Sequence, residues 1–347
     1  MGETIRLSRL VEQGGCSAKL SPDELERVLK SVPLPSHPDL IVGPETHDDA
    51  GVFRLPEGRY LIQTVDFFPP MVDDPFTFGQ VAAANALSDV YAMAGVPLTA
   101  LCLMMFPSRE LPTEILAEVL RGGFAKAQEA GALILGGHTL DDSPLKFGMA
   151  VTGTVEAAQL ATNAAAKPGE VLILTKPLGT AVLTGARKVD LINEEAVQPA
   201  IDSMTRLNDT AALCLRQFDL HAATDITGFS LLGHALRFAQ ASHATFRLDT
   251  SRLPLLPGAL DLVKMGAIPG GAMRNLKFVA PHSDFLPSLT SERKYLAADP
   301  QTSGGLLFSA PESKVDAVLR FLREHGIAEA AVFGEVLPRG EKTLLVA

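Results

Sequence analysis

The segment Ala82-Ala83-Ala84-Asn85-Ala86-Leu87-Ser88-Asp89-Val90-Tyr91 carries one charge in a run of small and apolar residues. Its composition predicts a helix over Phe76 to Ala94 that is unusually poor in charge. Asn85 and Asp89 are four apart and therefore share a helix face. On the N-terminal side, Tyr60 to Phe67 reads as a strand. On the C-terminal side, Thr99 to Phe106 reads as a strand, and Thr113 to Ala130 as an amphipathic helix with Ile115, Leu116, Val119 and Leu120 on one side. Ala132 to Gly136 and Phe147 to Val155 read as further strands. The pattern is mixed α/β, with parallel and antiparallel pairings both open.

The small, polar stretch Ala157 to Gly169 ends Lys-Pro-Gly and is the candidate domain boundary. Beyond it, Val171 to Thr175 is a fresh strand. A long helix is expected near Glu194 to Phe218, and further helices from about Thr227 to Ala241 and from Glu312 to Glu324. Ala331 to Val336 and Thr343 to Val346 are strand-like. At the other end, residues up to Ser21 are polar and glycine-bearing and read as a mobile arm. Ser21-Pro22-Asp23-Glu24 is a helix start, with Leu25, Val28 and Leu29 as its apolar face. Pro33, Pro35 and Pro38 then impose a loop.

The chain has 347 residues, 47% hydrophobic and 20% charged, with net charge −10. At about 150 residues per domain, two domains are expected. The acidic balance argues against a nucleic-acid or anionic-membrane binder. It leaves room for a phosphate-bearing ligand bridged by a metal ion. Three dispersed cysteines, Cys16, Cys102 and Cys214, form no C-x-x-C, so neither a disulfide framework nor a zinc site is expected. A reducing cytoplasm is the default setting. No signal peptide and no membrane-spanning run is visible.

The common nucleotide signatures are missing: there is no G-x-x-x-x-G-K-[ST] and no G-x-G-x-x-G after a strand. Aspartates stand out instead. Asp66 ends the strand Leu61-Ile62-Gln63-Thr64-Val65-Asp66. Asp89 sits in the charge-poor helix. Asp48 and Asp49 follow Thr46-His47, and Asp225 lies in Ala223-Thr224-Asp225-Ile226-Thr227-Gly228. A charge in apolar surroundings needs a partner or a metal, and oxygen ligands suit Mg²⁺. Singly, each has a bland reading: Asp225 as a helix cap, Asp89 as a solvated edge residue, Asp48 and Asp49 as turn residues. Gly136-Gly137-His138-Thr139 after an apolar strand fits either a tight turn or a backbone cradle for phosphate. On the arm, Gly14-Gly15-Cys16-Ser17-Ala18-Lys19 offers an exposed, movable thiol with a lysine three residues on. That lysine suits thiolate stabilisation or phosphate neutralisation. Cys102 and Cys214 read as core filling.

Taken in order, the segments Gly15 to Pro22, Thr46 to Ala50, Thr64 to Phe68, Asn85 to Met93, Gly136 to Thr139, Ala223 to Phe229 and Asp299 to Gly305 resemble the selenophosphate synthetase (selenide, water dikinase) family over nearly the whole chain. That family belongs to the wider aminoimidazole ribonucleotide synthetase-like group. The resemblance implies an α/β (α+β) two-domain architecture, usually homodimeric, whose N-terminal domain forms a β-barrel-like dimer core. It implies an arm and short helix over residues 1–44, a dimerisation and ATP/metal domain over 45–156, and a C-terminal α/β domain over 157–347. The implied activity converts selenide, ATP and water to selenophosphate, AMP and orthophosphate, with Mg²⁺ and an activating monovalent cation, K⁺.

By motif position, Asp49, Asp89 and Asp225 match metal ligands. Lys19, Thr46, His47, Asp48, Asp66, Asp89, Gly136, Gly137 and His138 match nucleotide contacts. Cys16 and Lys19 match the catalytic pair of the arm. Two positions depart from the pattern: Ala18 stands where many members have a second cysteine, and Ser230 where glycine is usual. The latter reads as a small local packing change. The alternatives are a thiamine-monophosphate kinase-like enzyme of the same group or a non-catalytic nucleotide or selenium carrier. A transient selenium-delivery protein is compatible with the sequence.

Overall fold

A computed structural model describes residues 5–20, 27–28, 31–34 and 36–347. The helix expected from Ser21-Pro22-Asp23-Glu24 falls largely outside them. Two sheets organise the chain. The first contains β1 (Leu40–Val42), β2 (Gly51–Arg54), β3 (Arg59–Phe68), β4 (Val96–Met105), β5 (Leu133–Leu140) and β6 (Lys146–Glu156), in the order β1-β2-β3-β6-β4-β5. Only β4 and β5 are parallel; β3 pairs antiparallel with β6 from Arg59↔Glu156 to Phe68↔Phe147. Alternation along β3 sends Ile62, Asp66 and Phe68 to the covered face and Val65 and Phe67 to the open one.

The covered face carries the helices Pro75–Ala92 and Thr113–Glu129. The first starts where expected, because Asp74 caps it by accepting the Thr77 N–H at 2.7 Å and Pro75 occupies its first turn. It stops before Ala94, which takes a left-handed φ of 56°. Its small, charge-poor sequence is buried nearly all round, so Asn85, Ser88 and Asp89 are inside the protein.

The second sheet contains β7 (Glu170–Leu174), β8 (Ala223–Asp225), β9 (Ala244–Leu248), β10 (Ser283–Phe285), β11 (Leu306–Pro311), β12 (Ala331–Pro338) and β13 (Leu344–Val346), in the order β10-β13-β9-β12-β7-β11-β8. β8, β9, β10 and β11 were not anticipated from the sequence pattern, nor were β1 and β2 of the first sheet. The expected single helix over Glu194 to Phe218 is two helices, Glu194–Thr205 and Asp209–Gln217. The break has a tertiary cause. Arg206 is extended, and its carbonyl accepts from Lys176 Nζ at 2.6 Å. The Asn208 amide donates to Ser88 Oγ at 2.9 Å and to the Gly304 carbonyl at 2.8 Å. Asn208 thereby ties the break to the buried Pro75–Ala92 helix.

The helix expected from Thr227 begins at Ser230, which holds a left-handed φ of 67° with a buried hydroxyl that lacks a partner among the described residues. Ser230 therefore strains the backbone, rather than altering packing alone. Among the described residues, no helix is long and apolar enough to cross a membrane.

Candidate active site

The aspartates converge where the two sheets meet. Asp66 sits near the end of β3, Asp89 on the buried helix, Asp49 just before β2, and Asp225 at the end of β8. They line one cavity with Lys19, His47, Asp48, Asn163 and His234. Asp49 is fixed from the second sheet: Thr224 Oγ1 donates to its Oδ1 at 3.0 Å and the Asp225 N–H to its Oδ2 at 3.3 Å. Asp89 accepts from Thr64 Oγ1 at 2.5 Å. Asp225 is 1% exposed, and its Oδ2 has no hydrogen-bond partner among the described residues. It is not a helix cap, since the next helix starts five residues on. Nor is Asp89 a solvated edge residue, at 9% exposure.

Burial, reinforced by mutual repulsion, holds Asp49 and Asp89 well above the usual carboxylate range. Burial pushes Asp225 up to about 6. Such a set gains from a cation. Ligand atoms of Asp49, Asp225 and His234 lie within 4.8 Å of one another. Burial lowers His234 to about 3, and its Nε2 accepts the Thr227 N–H at 3.2 Å. Its lone pair is thus engaged, and the donors left over are carboxylate oxygens, which fit a hard divalent cation.

Asp48 is raised by burial. It accepts from Thr46 Oγ1 and, at 2.6 Å, from the Asn163 N–H. The Asn163 side chain donates to the His47 carbonyl at 2.9 Å. The Thr46-His47-Asp48 loop is therefore shaped by a residue of the inter-sheet connection.

The arm differs from the sequence expectation. Cys16 is 2% exposed, not an exposed thiol, because the arm is packed against the protein. The Cys16 thiol donates to Asn85 Oδ1 at 3.2 Å, and Asn85 Nδ2 donates to Asp66 Oδ2 at 2.7 Å. Lys19 Nζ lies 2.5 Å from that same Asp66 oxygen. Burial pushes the Cys16 thiol up to about 12 against the opposing pull of Lys19, so it is protonated here. Burial works against the Lys19 charge, yet Asp66 and the surrounding negative groups keep it raised. Cys102 and Cys214 are buried, as core filling requires.

Gly136, Gly137 and His138 do not join this cavity. They lie within β5, the edge strand, and form neither a turn nor a cradle. Gly136 sits at a β4–β5 register irregularity with φ 146°. A Cβ on Gly137 would stand 2.2 Å from the Cys102 carbonyl oxygen. Both glycines thus have local structural reasons.

Sequence reading passed over Thr64, Asn163, Thr224 and His234. Thr64 was accessible by alternation, two residues before Asp66 on the same face. Asn163 gave no signal, because its partners are distant in sequence.

The model for the AIR synthase related protein, N-terminal domain, matches residues 47–155, and that for its C-terminal domain matches residues 167–347. The chain is 42% identical to the selenide, water dikinase of Clostridioides difficile (strain 630), over 99% of both chains. It is 48% identical to that of Porphyromonas gingivalis (strain ATCC BAA-308 / W83), over 93% of both. The solved structure of AaThiL complexed with AMPPCP and TMP superposes with a TM-score of 0.68 at 16% identity, covering 94% of this chain and 93% of that one, which shows a common fold. With two AIR synthase related domains and relatives of this similarity along its whole length, the chain belongs to the selenide, water dikinase family.

Proposed function

We propose that the protein catalyses ATP-dependent synthesis of selenophosphate from selenide and water, releasing AMP and orthophosphate. The observation that carries this reading is the Cys16–Asn85–Asp66–Lys19 chain set beside the buried Asp49, Asp89 and Asp225. It places a thiol and a cation next to a carboxylate cluster that calls for metal. The curated relatives named selenide, water dikinase support the assignment.

Asp49, Asp89 and Asp225 would hold Mg²⁺, which when bound would offset polyphosphate charge. Lys19 brings a positive charge to the transferring phosphoryl group. Thr46, His47, Asp48 and Asp66 flank the nucleotide. Selenide, held at Cys16, attacks the γ-phosphorus; the P–Se bond forms as the bond to the bridging oxygen breaks, leaving ADP. Water then cleaves the remaining phosphoanhydride to give AMP and orthophosphate. Activation by K⁺ belongs to this reading through family membership alone. Three free cysteines support a reducing, cytoplasmic setting.

We further propose a homodimer joined through the open face of the first sheet. Val65 (57% exposed), Leu101 (47%) and Leu135 (61%) lie bare on β3, β4 and β5. An apolar sheet face of this kind marks an interface. In that dimer the nucleotide role matched to Gly136, Gly137 and His138 is exercised toward a second copy.

The test is product analysis with Mg·ATP, K⁺ and anaerobic selenide. AMP and orthophosphate in equal amounts, dependent on selenide, support the reading. ADP accumulating without AMP contradicts it.

A further inference from the structure

We propose that Arg274 and Thr302 are positioning residues for the selenium-transfer step, clasping the arm so that Cys16 docks on Asn85 and Lys19 on Asp66. The inference rests on the function proposed above and extends it to residues outside the catalytic cavity. Arg274 lies in the helix Gly270–Val279. One of its Nη atoms donates to the Ser17 carbonyl at 3.0 Å and to Gln13 Oε1 at 2.8 Å, gripping the arm on both sides of Cys16. Thr302 Oγ1 accepts the Cys16 N–H at 3.2 Å. Thr302 is itself held, its N–H donating to Thr180 Oγ1 at 3.2 Å. On the first sheet's side, the Gly15 N–H donates to the Pro69 carbonyl at 2.8 Å.

The fit is close. A Cβ on Gly228 would stand 2.4 Å from the Cys16 carbonyl oxygen. Asn275, next to Arg274, donates to the Gly228 carbonyl at 3.0 Å and the Ala298 carbonyl at 3.1 Å. Successive residues of one helix therefore fix the arm and the wall beneath it. The arm's own backbone supplies little regular structure, so its placement depends on outside contacts: Arg6 and Ser8 on Asp73 and Lys188 on the Val11 carbonyl anchor its start, and the contacts above hold the segment at Cys16. Lys19 follows Cys16 by three residues, and releasing the clasp frees both.

The test compares parent, Arg274→Ala, Arg274→Lys, Thr302→Val and Cys16→Ser. Iodoacetamide labelling is read cysteine by cysteine by mass spectrometry, and initial rates are measured against selenide and against Mg·ATP. Loss of a hydrogen bond from a local opening equilibrium predicts about tenfold faster Cys16 labelling in Arg274→Ala, where the bond is charge-assisted, and about fivefold in Thr302→Val, where it is neutral. Cys102 and Cys214 stay protected, which a general loss of structure would not allow. The rate constant for selenide, kcat/KM, falls by a similar factor, the KM for Mg·ATP is unchanged, and Arg274→Lys recovers part of the loss.

Labelling at the parental rate in both variants overturns the clasp. So does faster labelling with intact selenide turnover while Cys16→Ser is inactive, and in that case the arm's chemistry stands. Parental turnover by Cys16→Ser overturns the chemistry assigned to the arm, and the inference with it.

Discussion

Lys19 Nζ and Asn85 Nδ2 both donate to one oxygen of Asp66, at 2.5 and 2.7 Å. Asp66 is therefore the point at which the N-terminal arm meets the buried helix of the first domain. The Cys16 thiol reaches the same assembly through Asn85. Asn85 is held from the second domain as well, since its Oδ1 also accepts the Ser303 N–H at 2.9 Å.

Lys19→Ala removes the arm's cation and leaves Asp66 buried beside Asn85. Selenide-dependent AMP formation is expected to fall by about 100-fold or more, in line with loss of a preorganised charge at a phosphoryl-transfer site. Mg·ATP binding, measured by calorimetry, is expected to weaken less. Unchanged turnover would remove Lys19 from the reaction.

The aspartate cluster predicts a pH dependence of the metal-free protein. Burial raises Asp225 from the ordinary 3.8 to about 6, and Asp49 and Asp89 shift in the same direction. For an acid raised by folding, the folded state binds the proton more tightly. Its contribution to stability is complete below the unfolded pKa and is lost as pH rises through the folded one. Tm in chelator should therefore drop between about pH 4 and about pH 7, and Mg²⁺ should flatten the profile. Asp225→Asn should raise metal-free stability at neutral pH by about 1–3 kcal/mol while weakening Mg²⁺ binding. A flat Tm profile in chelator would count against the cluster.

Ser230 holds φ 67° and a buried hydroxyl with no partner among the described residues. Ser230→Gly is expected to relieve both, stabilising the protein by about 1 kcal/mol in denaturant titration. A loss of stability would contradict the strain.

Asn208→Ala leaves Ser88 Oγ and the Gly304 carbonyl buried without their donor. A loss of about 1–3 kcal/mol is expected, read as a lower urea midpoint. Asn208→Asp should do no better, because it also lacks the donor.

From Tyr60 onward the first domain was legible because its elements announce themselves locally, while the short strands β1 and β2 were not. The helix at Ala82 to Tyr91 is set by composition, and the strand ending at Asp66 by its apolar run. The second domain was harder. The break at Arg206 and Asn208 depends on partners 30, 120 and 96 residues away, Lys176, Ser88 and Gly304. β11 lies next to the edge strand β8, directly after Gly304-Gly305, and its residues gave no alternating pattern to mark it. For the site, unusual aspartates were visible singly, while their convergence came from the family pattern. The burial of Cys16 was misread because a glycine-rich arm has no periodicity, and its seat is built by Thr302, Arg274 and Gly228, all far away in sequence.

The central claim is tested most directly by phosphorus NMR of the purified protein with ATP, Mg²⁺, K⁺ and anaerobic selenide. The account predicts a selenium-bonded phosphorus resonance growing with AMP and orthophosphate as ATP disappears. ATP left intact, or ADP formed with no selenium-bonded phosphorus, would contradict it.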